Sequence, residues 1–266
     1  MRLNNGIESE GVLSLPMLML VYIYIMCEVG TFEPAASCTD IGTGACGILF
    51  LTQDRGGSRV MSEVLGFDIF LNMLTPGTVT FLGGRPGMGK TSFACDIVAK
   101  WPDASQCMYC VYDNSGEDVK GLLAARGADA ASILNHKNLE GTWTKDVAGK
   151  LVIIDYVQIV CDNRDLPQVF EQYESIAERE NGIFLILSQL PRRIERREDK
   201  RPTLESLPNK GIVPFVDTIA FLYRKSYYEE DADSSAAELI IAKPSGNSVQ
   251  IPLRWDGERH SFWTRM

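Results

Sequence analysis

The chain has 266 residues, of which 45% are hydrophobic and 23% are charged, and its formal net charge is −9. This length and composition suffice for one well-buried core with a small appendage. The acidic balance argues against a protein that coats DNA through general electrostatics. Its seven cysteines, an odd number scattered along the chain, indicate reduced intracellular thiols rather than a disulfide framework.

The first 60 residues stand apart from the rest of the sequence. Residues 12–27 are almost entirely apolar, but this run is shorter than the ~20 residues that a helix needs to cross a bilayer. It is interpreted as a signal-peptide core after Arg2, as a buried hydrophobic arm, or as a stretch upstream of a later start such as Met61. We favour the last two over a membrane anchor, and therefore expect a cytoplasmic protein with no membrane partner. The predicted division is a leader or arm at 1–60 and one catalytic domain at 61–266.

A phosphate-binding loop follows the apolar run at residues 79–82. The sequence at 84–91, GRPGMGKT, fits G-x-x-x-x-G-K-[ST] and continues into a predicted helix. Glycines let backbone N–H groups wrap a phosphate, and a helix N-terminus favours the anion. We predict that a nucleoside triphosphate is held by Gly84, Arg85, Pro86, Gly87, Met88, Gly89, Lys90, Thr91 and Ser92. Lys90 is expected to reach the β- and γ-phosphates, and Thr91 to hold Mg²⁺.

Two later apolar runs end in polar residues suited to the same site. Residues 151–156 predict a buried parallel strand that brings Asp155 to the nucleotide, where its carboxylate would bind Mg²⁺ through the metal's water shell. Residues 183–187 predict a further strand, which ends close to Gln189. An amide in that position can lie beside the γ-phosphate and sense its loss.

Between these motifs the sequence is less regular. Residues 121–149 contain one predicted helix, at 121–126, followed by Ala-, Asp- and Asn-rich sequence that looks abbreviated. The C-terminal part is clearer, with strands predicted at 217–223 and 238–242. A final hairpin is predicted from 249–255 and 260–263, which Asp256-Gly257 would connect.

Positive charge is concentrated at residues 192–201 of this acidic chain. Such local charge favours a specific anion-facing surface. Because Glu195, Glu198 and Asp199 interrupt the run, a solvated basic loop is the alternative interpretation.

Several strings together resemble the C-terminal motor domain of DnaB-type replicative helicases, in order and local context, over roughly residues 65–266. They are GRPGMGKTSFA at 84–94, IIDYVQI at 153–159, LSQL at 187–190, DKRP at 199–202, IAFLYR at 219–224 and IIAK at 240–243. The resemblance implies an α/β fold of the RecA-like P-loop NTPase type: a mostly parallel twisted sheet flanked by helices, with a C-terminal antiparallel hairpin. It also implies a homo-hexameric ring that binds ATP and Mg²⁺ between neighbouring subunits, moves on single-stranded DNA, and meets a helicase loader or primase.

The resemblance also assigns further site residues. Asp113 stands where the family has its catalytic Glu, and Glu117 is the alternative. Ser245 stands where the family has an arginine that reaches the neighbouring subunit's γ-phosphate, so either Lys243 or Arg254 substitutes or hydrolysis is slow. The family's DNA-facing loops correspond to segments that carry Arg192, Arg193, Arg196, Arg197 and Lys210.

The sequence thus predicts an ATP-driven DNA helicase or translocase motor of DNA replication. Two alternatives stay open: a hydrolysis-poor ATP-binding assembly or regulatory module derived from such a helicase, and a recombination ATPase of the RecA or RadA type.

Overall fold

The computed structural model describes residues 67–112, 116–135, 147–243 and 248–263. The segment 1–60 and its predicted boundary lie outside these residues. No helix within the described ranges is both long enough and apolar enough to cross a membrane.

The described residues form one nine-stranded sheet with the spatial order β3-β2-β4-β5-β1-β6-β7-β8-β9. The first six strands in the chain run parallel, and β7, β8 and β9 are antiparallel. In chain order the strands are β1 (Thr78–Gly84), β2 (Cys107–Val111), β3 (Ser132–Asn135), β4 (Leu151–Asp155), β5 (Ile183–Gln189), β6 (Thr218–Tyr223), β7 (Ala236–Lys243), β8 (Val249–Asp256) and β9 (Ser261–Trp263). The predicted α/β fold with a C-terminal antiparallel hairpin is confirmed.

Helices accompany this sheet, and their sequences explain their bounds. They are α1 (residues 67–73), α2 (Lys90–Lys100), α3 (Gly116–Ala124) and α4 (Leu166–Glu180). In α4 the buried residues Leu166, Phe170, Tyr173 and Ala177 recur at helical spacing and form one apolar face. The helix ends where Asn181 adopts the left-handed conformation, with φ 58°. The central strands carry apolar runs because helices cover a parallel sheet on both faces.

The middle of the chain differs from its prediction. The helix expected at 121–126 begins at Gly116 and ends at Ala124, since Glu117 and Asp118 favour a helix N-terminus earlier in the sequence. Beyond it, β3 adds a parallel edge strand beside β2, where no strand was predicted. Four residues of mixed polarity give too weak a periodic signal to reveal it.

The C-terminal hairpin is fixed to α2. The backbone N–H of Phe262 donates to Asp96 Oδ2 at 2.6 Å, and the Phe262 ring meets Phe93 edge-on with centroids 5.4 Å apart. Arg126 pairs with the same carboxylate at 2.6 Å. The hairpin therefore lies against the helix that starts at the phosphate-binding loop.

Gly89, at the start of α2, has no room for a side chain. Its φ is +94°, and an added Cβ would lie 2.9 Å from the Phe262 ring and 3.1 Å from the Trp255 ring. We therefore expect Gly89→Ala to lower the free energy of unfolding by about 1–3 kcal/mol in chemical denaturation. Gly121→Ala is the matched control, because Gly121 lies inside α3 with open space around it, and there alanine should be neutral or stabilising by up to about 1 kcal/mol. Equal effects of the two changes would contradict the role of close packing at Gly89.

Candidate nucleotide-binding site

Three adjacent strands bring the predicted site residues to one edge of the sheet. The order β4-β5-β1 places Asp155, Gln189 and Gly84 at neighbouring carboxyl ends, and Gly84 is in register with Gln189. Ligands of open α/β sheets bind at this kind of edge.

The loop between β1 and α2 has the backbone that a phosphate requires. Gly87 and Gly89 both have positive φ, 79° and 94°, which other residues rarely adopt. No side chain caps the N-terminus of α2, and its first turn contains no acidic residue. Its terminal N–H groups therefore suit an external anion.

Lys90 lies buried within this loop. Its Nζ donates to the Gly84 carbonyl at 3.0 Å and to the Arg85 carbonyl at 3.3 Å. Burial lowers the pKa of Lys90 to about 8, whereas the charge on Asp155 raises it. Anionic phosphates beside this desolvated ammonium would stabilise its protonated form.

The Asp155 carboxylate lies beside the first turn of α2. Thr91 Oγ1 donates to Asp155 Oδ2 at 2.8 Å, and the Tyr109 hydroxyl donates to the same oxygen at 3.0 Å. Burial, together with the Asp155 charge, raises the pKa of Tyr109 well above its ordinary value. A hydroxyl and a carboxylate so close together are oxygen ligands of the kind that Mg²⁺ prefers, so these residues fit the predicted metal.

The Gln158 side chain, which follows β4, forms hydrogen bonds to the end of β5. Its amide nitrogen donates to Ser188 Oγ at 2.6 Å and to the Gln189 carbonyl at 3.0 Å, while its oxygen accepts from the Gln189 N–H at 3.0 Å. Gln158 therefore fixes the backbone of Gln189, the predicted γ-phosphate sensor, from the end of the neighbouring strand.

The Arg85 side chain turns from the loop toward the segment after β5. Its guanidinium donates to the Leu190 carbonyl at 2.6 Å and pairs with Glu195 at 2.8 Å. Arg85 can thus serve a phosphate through its backbone while its side chain ties the loop to the basic segment.

Aromatic side chains from β8 and from the turn Lys225–Tyr227 border the loop. The Trp255 ring lies against Gly89, Tyr227 lies against Gly87, and the Arg224 guanidinium stacks on Trp255 at 4.5 Å. These planar groups offer a face to which a nucleotide base can bind.

The basic residues predicted to face DNA fall into two groups. Arg193 donates to the Leu207 carbonyl at 2.5 Å, Arg197 lies 3.5 Å from Ser206 Oγ, and Lys210 pairs with Glu205. All five side chains are exposed, but Arg192 and Arg196, on the turn Arg192–Arg196, make no side-chain hydrogen bond or ion pair with another described residue. Arg192 and Arg196 therefore have the greater freedom to contact a ligand.

Both candidates for a trans-acting cation have partners within their own chain. Lys243 Nζ donates to the Val213 carbonyl at 2.8 Å and to the Val216 carbonyl. Arg254 pairs with Asp233 at 2.9 Å. Ser245 lies outside the described residues.

The predicted catalytic carboxylate, Asp113, also lies outside the described residues. The strand before it ends beside Asp155, because the Tyr112 N–H donates to the Asp155 carbonyl at 3.2 Å. Its alternative, Glu117, is exposed in the first turn of α3.

The prediction of site residues missed several contributors. Tyr109, Gln158 and Trp255 each contact the loop or a predicted site residue, and Arg224 stacks on Trp255. Tyr109 was concealed because its role depends on β2 lying next to β4, which spacing along the chain does not reveal. The one available signal was the polar Gln158, three residues after the apolar strand that ends at Asp155.

The fold and this site define a RecA-like P-loop nucleotide-binding domain. A family model described as the DnaB-like helicase C terminal domain matches residues 137–264. The match spans a little under half of the chain, and over those residues the chain is similar to that family.

Curated relatives are similar over part of their length. The replicative DNA helicase DnaC of Bacillus subtilis is 28% identical, with 68% of this chain and 51% of that protein aligned. A probable replicative DNA helicase of Trieres chinensis is 35% identical, with 73% of this chain and 55% of that protein aligned. The chain thus spans about half the length of the curated relatives that it matches.

Solved structures support the fold. One of them, an ATPase domain, superimposes with a TM-score of 0.65 at 20% identity, covering 80% of this chain and all of that one. A DnaB-like replicative helicase, solved in a study of its interactions with primase, gives a TM-score of 0.61 at 23% identity and covers 71% of this chain and 57% of that one.

Proposed function

We propose that this chain is the motor of a DnaB-type replicative helicase, which hydrolyses ATP and moves on single-stranded DNA as a homo-hexamer in the cytoplasm. The observation that carries the proposal is the Thr91–Asp155 contact of 2.8 Å beside buried Lys90. The similarity to DnaB-like helicases supports a helicase over other nucleotide-binding proteins with this fold. A helicase loader or primase is the expected protein partner.

The residues divide the chemistry between them. Loop amides and Lys90 would bind the β- and γ-phosphates, and Thr91 and Asp155 would hold Mg²⁺, whose charge would offset that of the phosphates. Asp113 orients and polarises the attacking water. Gln189 contacts the γ-phosphate and responds to its loss.

The deciding experiment measures the ATPase rate of the purified protein with and without single-stranded DNA, and its size with and without ATP. For a motor, single-stranded DNA should raise the ATPase rate several-fold, and the protein should form a hexamer when ATP is bound. A particle that neither hydrolyses ATP nor assembles would refute the proposal.

The second candidate function is an ATP-binding module that hydrolyses slowly. It is favoured by the pairing of Lys243 and Arg254 within their own chain, since a trans-acting cation contributes several powers of ten to the rate. Tight ATP binding with negligible turnover would select this alternative.

DNA contact is expected at Arg192 and Arg196, which are exposed and, among the described residues, are not held by an ion pair or side-chain hydrogen bond as Arg193, Arg197 and Lys210 are. Replacing both by alanine should weaken binding of single-stranded DNA about 10-fold at low salt. It should also lower the slope of log affinity against log salt by about 1.4, or ~0.7 for each phosphate that the protein no longer neutralises. Fluorescence anisotropy over a salt series measures both quantities. Arg164→Ala is the control, because that side chain is 90% exposed on another loop, and an equal weakening in the control would argue against a specific basic surface.

A further inference from the structure

The Tyr109 hydroxyl occupies an unusual place for a polar atom. Tyr109 is fully buried on β2, and its hydroxyl lies 3.0 Å from Asp155 Oδ2. A phenylalanine would fill the same space without burying a hydroxyl, which destabilises the fold when it is left unsatisfied. The tyrosine therefore adds a polar contact to the metal-binding carboxylate in addition to packing.

The sheet register explains how the two groups meet. In the parallel pair β2–β4, Val111 is aligned with Asp155 and Tyr109 with Ile153. The side chains of Tyr109 and Asp155 therefore lie on the same face of the sheet. Two residues advance about 6.6 Å along a strand, a distance that the length of a tyrosine side chain can span. The Tyr109 hydroxyl therefore reaches Asp155 on the neighbouring strand β4.

Thr91 approaches the same oxygen from α2. Its Oγ1 lies 2.8 Å from Asp155 Oδ2, so two hydroxyl donors from different elements converge on one carboxylate oxygen. The terminal torsion of an aspartate is otherwise broad. These donors restrict that torsion and set the direction in which the carboxylate faces the nucleotide.

We propose that Tyr109 is a positioning residue for Asp155: its hydroxyl holds the carboxylate in the orientation that serves the divalent metal bound with ATP. This inference rests on the proposed nucleotide-binding function. It assigns Tyr109 no contact with nucleotide, metal or water, and its effect is transmitted through Asp155.

The test removes the hydroxyl alone with Tyr109→Phe. Binding of Mn²⁺ in the presence of the non-hydrolysable β,γ-imido analogue of ATP is followed by electron paramagnetic resonance. We expect Mn²⁺ affinity to fall 10- to 100-fold, the usual effect of removing an outer-shell partner. Affinity for the analogue in EDTA should change less than about 2-fold, because the phosphate loop is untouched. Equal Mn²⁺ affinity in wild type and variant would overturn the inference.

Tyr173→Phe is the matched control. Tyr173 is also a buried tyrosine, on α4, where it contacts Tyr112 and packs on Phe184 with ring centroids 5.5 Å apart. It should keep wild-type Mn²⁺ affinity. A decrease in both variants would show a general effect of core packing and would contradict the positioning role.

A double-mutant cycle is a second test that distinguishes a positioning role of Tyr109 from a packing role. In an Asp155→Asn background, Tyr109→Phe should change Mn²⁺ affinity less than about 2-fold, because the charged group that the hydroxyl orients is gone. A full additional decrease there would overturn the inference. Tyr109→Leu, which lacks both ring and hydroxyl, must weaken Mn²⁺ binding at least as much as Tyr109→Phe.

The outcome for the wild-type protein distinguishes the proposed function from the role of Tyr109. Wild-type protein that binds neither the analogue nor Mn²⁺ would refute the proposed function, and this inference with it. Wild-type protein that binds both, beside a Tyr109→Phe variant that binds them equally well, would refute the inference and leave the proposed function standing.

Discussion

Lys90→Ala should lower the ATPase rate by at least about 100-fold, the scale of removing one preorganised charge at a developing anion. Lys90 is buried, and its ammonium lies within the phosphate loop on the Gly84 and Arg85 carbonyls. Replacing it removes the only lysine of that loop. The effect should appear in ATP affinity as well as in kcat, since the same charge binds the ground-state phosphates. Steady-state ATPase kinetics and calorimetric titration with ATP measure the two effects.

Two controls separate this chemistry from a loss of fold. Lys120→Ala changes an exposed lysine on α3 and should leave both quantities within a factor of two. Lys90→Met retains most of the buried stem, so its thermal unfolding should approach that of wild type while its ATPase stays low. Turnover of Lys90→Met near the wild-type rate would remove Lys90 from the mechanism.

Much of this site was predictable because its signals are local. The loop at 84–91 fixes its own conformation through glycine positions, and the strands ending at Asp155 and Gln189 have continuous apolar runs. Each signal lies within a few residues, so no knowledge of the tertiary arrangement is needed. Parallel strands then bring their carboxyl ends together without further information.

The contacts that were missed depend on strand order. Tyr109 meets Asp155 because β2 pairs with β4, and Trp255 meets Gly89 because the C-terminal hairpin folds back on α2. The members of each pair lie far apart in the chain. Sequence spacing does not determine which strands become neighbours, so only the folded sheet reveals these partners.

The pairing of Arg85 with Glu195 is another contact that the sequence did not reveal, and it connects two segments of the proposed site. The motif marks Arg85 as a phosphate-loop residue, yet its guanidinium lies on the segment that follows β5. The same segment carries the exposed Arg192 and Arg196. Loop and basic segment are therefore joined by one ion pair, which gives nucleotide and DNA a direct structural connection under the proposed function.

Asp155→Asn should lower kcat at least about 100-fold while leaving nucleotide affinity in EDTA within about 3-fold. The asparagine has nearly the same shape, and its amide oxygen can still accept from the Thr91 and Tyr109 hydroxyls that now contact Asp155. What disappears is the negative charge of Asp155, which would hold a bound Mg²⁺ at the phosphates. Binding without metal depends on the loop amides and Lys90. The change removes the Asp155 charge that raises the pKa of Lys90, but bound phosphates stabilise the protonated lysine in the same way.

The contrast between Lys90 and Asp155 is itself the most demanding test of the site. Removing the lysine should impair nucleotide binding with or without metal, whereas removing the aspartate should impair only the metal-dependent part. Asp129→Asn, on an exposed turn after α3, should behave as wild type in both assays. If Asp155→Asn weakened binding in EDTA as strongly as Lys90→Ala, the carboxylate would be supporting the loop itself, and Thr91 would be left without its predicted partner at the metal.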